Sequence, residues 1–277
     1  MKFTKLHGCG NGYIYVNLFE EKLDNPAEMS VKVSDYHFGI GADGLITIGS
    51  SEVADFAMHI YNADGSEAEM CGNGIRCVGK YVYDHGLTDK TEITVESGAG
   101  IKYLTLYVKE GKVDAVCVDM GEPIFTPNEI PVVADGERVI DEPIVVGDKE
   151  WQMTCVSMGN PHAVVFVEDV KNFELEKYGP LFENHARFPR RTNTEFVKVI
   201  SRTEADMRVW ERGSAETWAC GTGTCATVVA CILKGLTDRE VLVHLLGGDL
   251  VIRWDEKTNH VFMTGPATEV FTGEYNG

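Results

Sequence analysis

Two cysteines occupy matching contexts 149 residues apart: Cys71 opens the tetrapeptide CGNG and Cys220 opens CGTG. A free thiol loses its proton near pH ~8.5, and the resulting thiolate is a base. If one thiol lay on each face of a carbon atom, one could remove a proton while the other donated one to the opposite face. The pair therefore indicates acid–base chemistry that inverts a stereocentre.

The same offset relates other motifs in the two halves of the chain. Gly10-Asn11 corresponds to Gly159-Asn160, and the tetrapeptide GLTD occurs at Gly86 and again at Gly235. The relation spans most of each half, so it indicates an internal duplication. Because a duplicated unit usually folds into two similar domains, we expect the matching cysteines to face each other across the interface between them.

Each half contains the same predicted elements in the same order. A Gly-Asn turn precedes a β-rich run, and a loop then leads to the cysteine, a helix with apolar i, i+3, i+7 spacing, and hairpins. Gly86 and Gly235 are predicted to end the helices in a left-handed conformation. Strands, a central helix and hairpins in each half predict an α+β fold.

Both cysteines are thus predicted at helix N-termini, where unpaired N–H groups carry roughly half a positive charge. This setting favours a thiolate and can bring a thiol pKa down into the neutral range. The same N–H groups bind carboxylates. The glycine that follows each cysteine lets the backbone approach a ligand closely, so each half offers a thiol beside an anion site.

The composition limits the classes of partner. A net charge of −18, without a cluster of basic residues, argues against nucleic-acid binding. There is no membrane-length apolar run and no apolar signal-peptide core, so we expect a cytoplasmic protein without a membrane partner. The eight cysteines form no CxxC pair. We expect no metal ion and no cofactor.

An ordered set of motifs resembles the diaminopimelate epimerase family. The motifs are GN at Gly10, GADG at Gly41, NADGS at Asn62, CGNGIRC at Cys71, GNPH at Gly159, Asn193 alone, ERG at Glu211 and ACGTG at Ala219. The resemblance covers the chain from Phe3 to Ala267. It implies a cofactor-independent homodimeric enzyme that interconverts LL- and meso-2,6-diaminopimelate on the route to lysine and peptidoglycan precursors.

The resemblance also implies the fold and the domain boundaries. Each of two pseudo-symmetric domains would be a β-rich barrel-like sheet around a central helix, with the active site in the cleft between them. The first domain would comprise residues 1–119, with the segment 266–277 returning to it, and the second would comprise residues 120–265.

Carried over by position, the resemblance gives each site residue a role. Cys71 and Cys220 would be the acid/base pair, with Cys220 the base in the LL-to-meso direction, and His162 and Glu211 would tune the thiol pKa values. The substrate-binding positions would be Asn11, Gly44, Asn62, Gly72, Asn73, Asn160, Asn193, Glu211, Arg212, Gly221 and Thr222. Backbone N–H groups of Gly72-Asn73 and Gly221-Thr222 would hold the reacting carboxylate. The distal end would be bound by Asn11, Asn62, Asn160, Asn193, Glu211 and Arg212.

Two positions depart from the usual family pattern. Gly12 stands where the family usually has Asp or Asn, and this change could loosen the first turn and weaken the contribution of Asn11. Gly44 stands where some members carry a substrate-contacting Gln, and it matches a common family variant.

Other interpretations remain open at this point. Cys71 and Cys220 could be buried thiols that only cap helices, Cys71, Cys77, Cys220 and His162 could form a metal site, and Arg212 with Glu211 could be a surface ion pair. The chain could act on another amino acid, as proline and hydroxyproline racemases do. It could also be a silent amino-acid-binding or thiol-sensor protein, although retention of both cysteines and both glycine pairs disfavours this.

Overall fold

The computed structural model describes residues 1–277, and the chain divides into two units. The first, unit 1, comprises Met1–Asp119 together with Thr264–Gly277, and the second, unit 2, comprises Met120–Met263. The chain therefore begins and ends in unit 1. None of its helices is long and apolar enough to cross a membrane.

Unit 1 is a sheet with two helices. Its elements are β1 (Lys2–Gly8), β2 (Asn11–Asn17), α1 (Pro26–Ser34), β3 (Gly44–Gly49), β4 (Phe56–Asn62), β5 (Glu67–Ala68), α2 (Gly72–Asp84), β6 (Glu92–Ser97), β7 (Gly100–Lys109), β8 (Lys112–Asp119) and β18 (Thr268–Glu274). The strands pair in the order β18-β1-β2-β3-β4-β6-β7-β8, with β5 also on β4. Only the β2–β3 and β4–β6 pairs are parallel.

Unit 2 repeats this arrangement. Its elements are β9 (Glu142–Val146), β10 (Lys149–Ser157), β11 (Pro161–Phe166), α3 (Leu175–Glu183), β12 (Asn193–Ser201), β13 (Glu204–Glu211), β14 (Ala215–Thr217), α4 (Gly221–Leu233), β15 (Glu240–Leu245) and β16 (Gly248–Trp254), and β17 (Val261–Pro266) leads back to unit 1. The order is β9-β10-β11-β12-β13-β15-β16, with β14 on β13. Again two pairs are parallel, β11–β12 and β13–β15.

The duplication is visible in the geometry of the elements. Both helices of unit 2 begin and end 149 residues after those of unit 1. The strand register is also repeated, because Tyr13 pairs with Gly44 in unit 1 and His162 pairs with Asn193 in unit 2. The predicted α+β class and the internal repeat are therefore confirmed.

A buried helix occupies the centre of each unit. Helix α2 packs against β1, β2, β7 and β8, and α4 packs against β10, β11, β12, β15 and β16. Gly86 (φ +73°) and Gly235 (φ +69°) each lie two residues beyond the end of their helix, in the left-handed conformation that glycine adopts without strain. The predicted helix ends are thus confirmed, and each central helix presents its N-terminus at a cysteine.

Candidate functional site

Cys71 is the N-cap of α2, as the sequence predicts. Its backbone is extended (φ −138°, ψ 112°), and its sulfur accepts a hydrogen bond of 3.3 Å from the N–H of Gly74. The helical hydrogen-bond ladder starts at Ile75, whose N–H donates to the Cys71 carbonyl over 2.9 Å. The N–H groups of the first turn are therefore directed to the helix end beside the thiol.

Asn11 links the Cys71 thiol to a neighbouring carboxylate. The Cys71 Sγ donates to Asn11 Oδ1 over 3.3 Å, and Asn73 Nδ2 donates to the same oxygen over 3.4 Å. Asn11 Nδ2 donates to Asp43 over 2.7 Å, and the N–H of Gly12 donates to the same Asp43 oxygen over 2.9 Å. These bonds fix the turn at Gly12, and a methyl group at that position would make only ordinary contacts.

Gly44 and Asn62 lie directly opposite each other on β3 and β4. A methyl group at Gly44 would lie 2.2 Å from the Tyr61 carbonyl oxygen, so this close strand approach requires glycine. Asn62 Nδ2 donates to Ser66 Oγ over 3.0 Å. Neither Gly44 nor Asn62 hydrogen-bonds to the Cys71 thiol.

Cys220 is the N-cap of α4, again as predicted. Its backbone is extended (φ −116°, ψ 109°), and the residue is 5% exposed. The Thr222 hydroxyl lies 3.6 Å from the sulfur. The helical ladder starts at Thr224, whose N–H donates to the Cys220 carbonyl over 2.9 Å. Both cysteines therefore occupy the same position relative to a central helix.

A chain of hydrogen bonds leads from Cys220 into the core of unit 2. Beyond Thr222, Asn160 Nδ2 donates to the Thr222 hydroxyl over 3.2 Å. Asn160 Oδ1 lies 2.9 Å from His162 Nε2, and His162 Nδ1 lies 2.7 Å from Glu195 Oε1. His162 and Glu195 are fully buried. His162 therefore contacts Glu195 and Asn160 directly, and it hydrogen-bonds to neither cysteine.

Three of the residues assigned to the distal end of the substrate lie close together: Glu211 and Arg212 at the end of β13, and Asn193 at the start of β12. Asn193 Oδ1 accepts from the N–H of Arg212 over 2.9 Å, and the Arg212 guanidinium donates to the Arg190 carbonyl over 3.2 Å. Glu211 accepts a short hydrogen bond from the Thr217 hydroxyl. Arg212 and Glu211 are not paired with each other, so the ion-pair interpretation is wrong.

The helix ends are not the only influence on the pKa values of the two thiols. Burial raises the pKa of Cys71 above its usual range, and hydrogen bonds from the Gly74 N–H and the Tyr13 phenol oppose this rise only in part. The pKa of Cys220 is raised more strongly, by burial first and then by the carboxylates of Glu211 and Glu195. Desolvation of the thiolate therefore outweighs the hydrogen bonds that lower the thiol pKa values.

Three residues at these sites were missed by the sequence analysis: Tyr13, Asp43 and Glu195. Tyr13 lowers the pKa of Cys71, and it lies 149 residues before His162. Glu195 lies 149 residues after Ile46. A residue-by-residue comparison of the two halves would have shown that an aliphatic residue in one half corresponds to a carboxylate in the other.

Comparison with known proteins identifies similar sequences over the whole chain. The model of the family described as diaminopimelate epimerase matches residues 3–126 and 154–270. The diaminopimelate epimerase of Agathobacter rectalis is 77% identical, and the match covers 99% of each chain. Those of Acetivibrio thermocellus (61% identity, 99% of this chain and 98% of the relative) and Methanococcus maripaludis (59%, 99% of each) are also similar.

Solved structures with much lower sequence identity share the fold. A Bacillus anthracis phenazine biosynthesis protein superposes with a TM-score of 0.72 at 17% identity, covering 99% of this chain and 98% of that chain. A hydroxyproline epimerase from Agrobacterium vitis superposes with a TM-score of 0.69 at 15% identity, covering 99% and 91%. Proteins with different names therefore share this two-domain α+β fold.

Proposed function

The chain belongs to the diaminopimelate epimerase family, and from this premise we propose that it interconverts LL- and meso-2,6-diaminopimelate. The reaction inverts one α-carbon by moving protons and needs no cofactor. The observation that carries the proposal is the repeated construction of the two units, in which Cys71 and Cys220 each cap a central helix.

The proposed reaction is a proton exchange between sulfur and carbon. In the LL-to-meso direction, the Cys220 thiolate takes the α-proton and becomes a thiol, and the electron pair of the C–H bond delocalises into the adjacent carboxylate. The Cys71 thiol then gives its proton to the opposite face of the carbon and becomes a thiolate. In the reverse direction the two residues exchange roles.

The first turns of α2 and α4 supply the stabilising groups that this mechanism requires. As negative charge develops on the reacting carboxylate, preorganised N–H groups stabilise it without reorganisation. We assign this role to the N–H groups of Gly72, Asn73, Gly221 and Thr222. The positions of these residues support the assignment, because they precede Ile75 and Thr224, which donate the first helical hydrogen bonds.

The distal end of the substrate carries a second ammonium and a second carboxylate. Arg212 is exposed and can bind a carboxylate through two parallel N–H groups. Glu211 offers an acceptor to an ammonium group, and the remaining assigned ligands provide amide donors and acceptors. These amide ligands are Asn11, Asn62, Asn160 and Asn193. We also assign Gly44 to this site, where its strand allows close approach.

We assign His162 and Glu211 to the tuning of Cys220. Glu211 acts through charge, since its carboxylate raises the pKa of this thiol. His162 acts through Asn160 and Thr222, which connect it to the sulfur by hydrogen bonds.

An enzyme for proline or hydroxyproline is the second candidate, because a hydroxyproline epimerase shares the fold. The relatives with 59–77% identity are all named diaminopimelate epimerases. Arg212 and Glu211 also suit a second amino-acid head group, which proline lacks.

We further propose a homodimer that works in the cytoplasm on the route to lysine and peptidoglycan precursors.

The experiment that tests the function is incubation of the fully reduced protein with LL-diaminopimelate in heavy water. We expect meso product with solvent deuterium at the inverted α-carbon. Cys71→Ala and Cys220→Ala should each lose this activity, whereas Cys231→Ala, which removes a buried thiol near the end of α4, should retain it. Wild-type protein that yields neither meso product nor deuterium incorporation would refute the proposal, and parallel incubations with L-proline and hydroxyproline test the second candidate.

A further inference from the structure

The buried carboxylate of Glu195 makes the surroundings of the two thiols unequal. We propose that Glu195 is a positioning residue that keeps the proton of the substrate-free enzyme on Cys220 rather than on Cys71. The carboxylate acts on the thiol through the space beneath the first turn of α4, and it does not touch the substrate.

The geometry at Gly223 brings the carboxylate and the sulfur together. A methyl group at Gly223 would lie 2.5 Å from Glu195 Oε1 and 3.3 Å from Cys220 Sγ. The two side chains therefore flank the same point of the helix backbone, and their separation is at most about 6 Å, within the range over which a like charge disfavours ionisation. Glu195 is fully buried, so water screens little of this interaction.

Unit 1 has an aliphatic side chain at the equivalent place. A methyl group at Gly74 would lie 2.7 Å from Ile46 Cδ1 and 3.5 Å from Cys71 Sγ. Gly74 and Ile46 each lie 149 residues before Gly223 and Glu195. The packing beneath the two helix ends is thus the same, but one thiol has a carboxylate beneath it and the other has a methyl group.

The other titratable groups around Glu195 lie on the elements that pack against it. His162 on β11 hydrogen-bonds to Glu195 Oε1 and lowers the carboxyl pKa, whereas burial and Glu211 on β13 raise it. On β10, the pKa of Cys155 is raised chiefly by burial and slightly by Glu195. Cys220 itself faces two carboxylates, those of Glu211 and Glu195.

The surroundings of Cys71 favour its thiolate by comparison. The Gly74 N–H donates to the sulfur, and the Tyr13 phenol and the Arg76 guanidinium also lower the Cys71 pKa. The carboxylate of Asp43 is separated from this thiol by the Asn11 amide, which hydrogen-bonds to both. Both the added charge beneath Cys220 and the cation near Cys71 therefore favour ionisation of Cys71 over ionisation of Cys220.

For catalysis, and resting here on the proposed function, this asymmetry separates the roles of the thiols. A Cys220 thiolate that is harder to form is the stronger base towards an α-proton, and a Cys71 thiol that ionises more readily is the better proton donor. The resting form that this asymmetry favours, with the proton on Cys220 and Cys71 as the thiolate, is the form that the meso-to-LL direction requires. The LL-to-meso direction starts from the less populated form, in which Cys220 is the thiolate.

The test measures how the alkylation rate of each thiol depends on pH in the free enzyme, so it does not depend on the identity of the substrate. Wild type, Glu195→Gln and Thr194→Val are alkylated with iodoacetamide between pH 6 and 10, and the modified residues are located by fragment-ion mass spectrometry. Thr194→Val is the matched control, because Thr194 is fully buried beside Glu195 and its hydroxyl has no hydrogen-bond partner.

In wild type we expect the alkylation profile of Cys220 to lie at higher pH than that of Cys71. Glu195→Gln keeps the side-chain volume and should move the Cys220 profile to lower pH by about one unit, roughly a tenfold gain in rate on its rising limb. The Cys71 profile should stay in place, and Thr194→Val should change neither profile.

A Cys220 profile that does not move in Glu195→Gln, that moves to higher pH, or that moves together with the Cys71 profile would overturn the proposal. Tryptophan fluorescence verifies that the variant is folded. If it does not fold, the wild-type comparison still decides, since a Cys220 profile at or below that of Cys71 contradicts the proposed asymmetry.

Discussion

Replacement of His162 by leucine should strongly destabilise unit 2, because it leaves a buried carboxylate without a partner. His162 provides the one hydrogen bond that the Glu195 side chain receives, at 2.7 Å, and Glu195 Oε2 already has no partner. Both residues are fully buried, so solvent cannot replace the lost bond. Leucine has a volume similar to that of histidine, and the change therefore removes a polar contact without opening a large cavity.

The size of the effect follows from the burial of the pair. Removal of the partner of a buried charged group costs about 3–5 kcal/mol, a large part of the roughly 5–15 kcal/mol that stabilises a domain. Replacement of both partners by apolar residues is often neutral. The double variant His162→Leu/Glu195→Leu should therefore recover most of the loss.

The loss of stability in His162→Leu depends on pH with a defined sign. Burial raises the folded-state pKa of Glu195, and His162 lowers it, so removal of His162 raises it further. A carboxyl with a raised folded pKa contributes stability below its unfolded pKa of about 4.3 and loses that contribution as pH rises through the folded value. The deficit of His162→Leu relative to wild type should therefore be larger at pH 7 than at pH 5.

Urea unfolding followed by tryptophan fluorescence is a suitable assay, because all four tryptophans belong to unit 2. They are Trp151, Trp210, Trp218 and Trp254. The free energies of unfolding of wild type, both single variants and the double variant form a double-mutant cycle. A loss below about 1 kcal/mol in His162→Leu, or a double variant no more stable than His162→Leu, would refute the reasoning.

Three further predictions concern the site itself. Gly223→Ala should lower kcat at least tenfold, because the new methyl group would collide with Glu195 Oε1 at 2.5 Å; unchanged steady-state kinetics would contradict this. Arg212→Lys should raise the KM for diaminopimelate about tenfold or more, since lysine lacks the two parallel donors of the guanidinium; an equal KM would remove Arg212 from the binding site. Oxidation should inactivate the enzyme reversibly by joining Cys71 to Cys220, and peptide mapping that finds the two unlinked in inactive oxidised protein would count against opposed sulfurs.

The sequence predicts features that depend on local patterns. The glycine that follows each cysteine, the apolar helix spacing and the terminal Gly86 and Gly235 are local signals, and they correctly predict that Cys71 and Cys220 cap two equivalent helices. The 149-residue offset also predicts that the two units are related. Matching residues recur at this offset in both halves, and their strands pair in the same register.

The thiol environments depend on packing between distant segments, which local sequence patterns do not predict. The carboxylate of Glu195 lies in β12 and reaches the first turn of α4 only because Gly223 has no side chain. Desolvation, which raises both thiol pKa values, also depends on the surrounding strands. A prediction based on the helix ends alone includes the favourable field and omits the larger cost of burial.

The fate of the α-hydrogen tests the central claim most directly. LL-diaminopimelate deuterated at both α-carbons is converted in ordinary water, and the first meso product is examined by NMR. With two thiols on opposite faces, the product carries deuterium at the carbon that was not inverted and hydrogen at the inverted carbon. Deuterium retained at the inverted carbon would show that one base serves both faces, and it would contradict the assignment of Cys71 and Cys220 as an opposed pair.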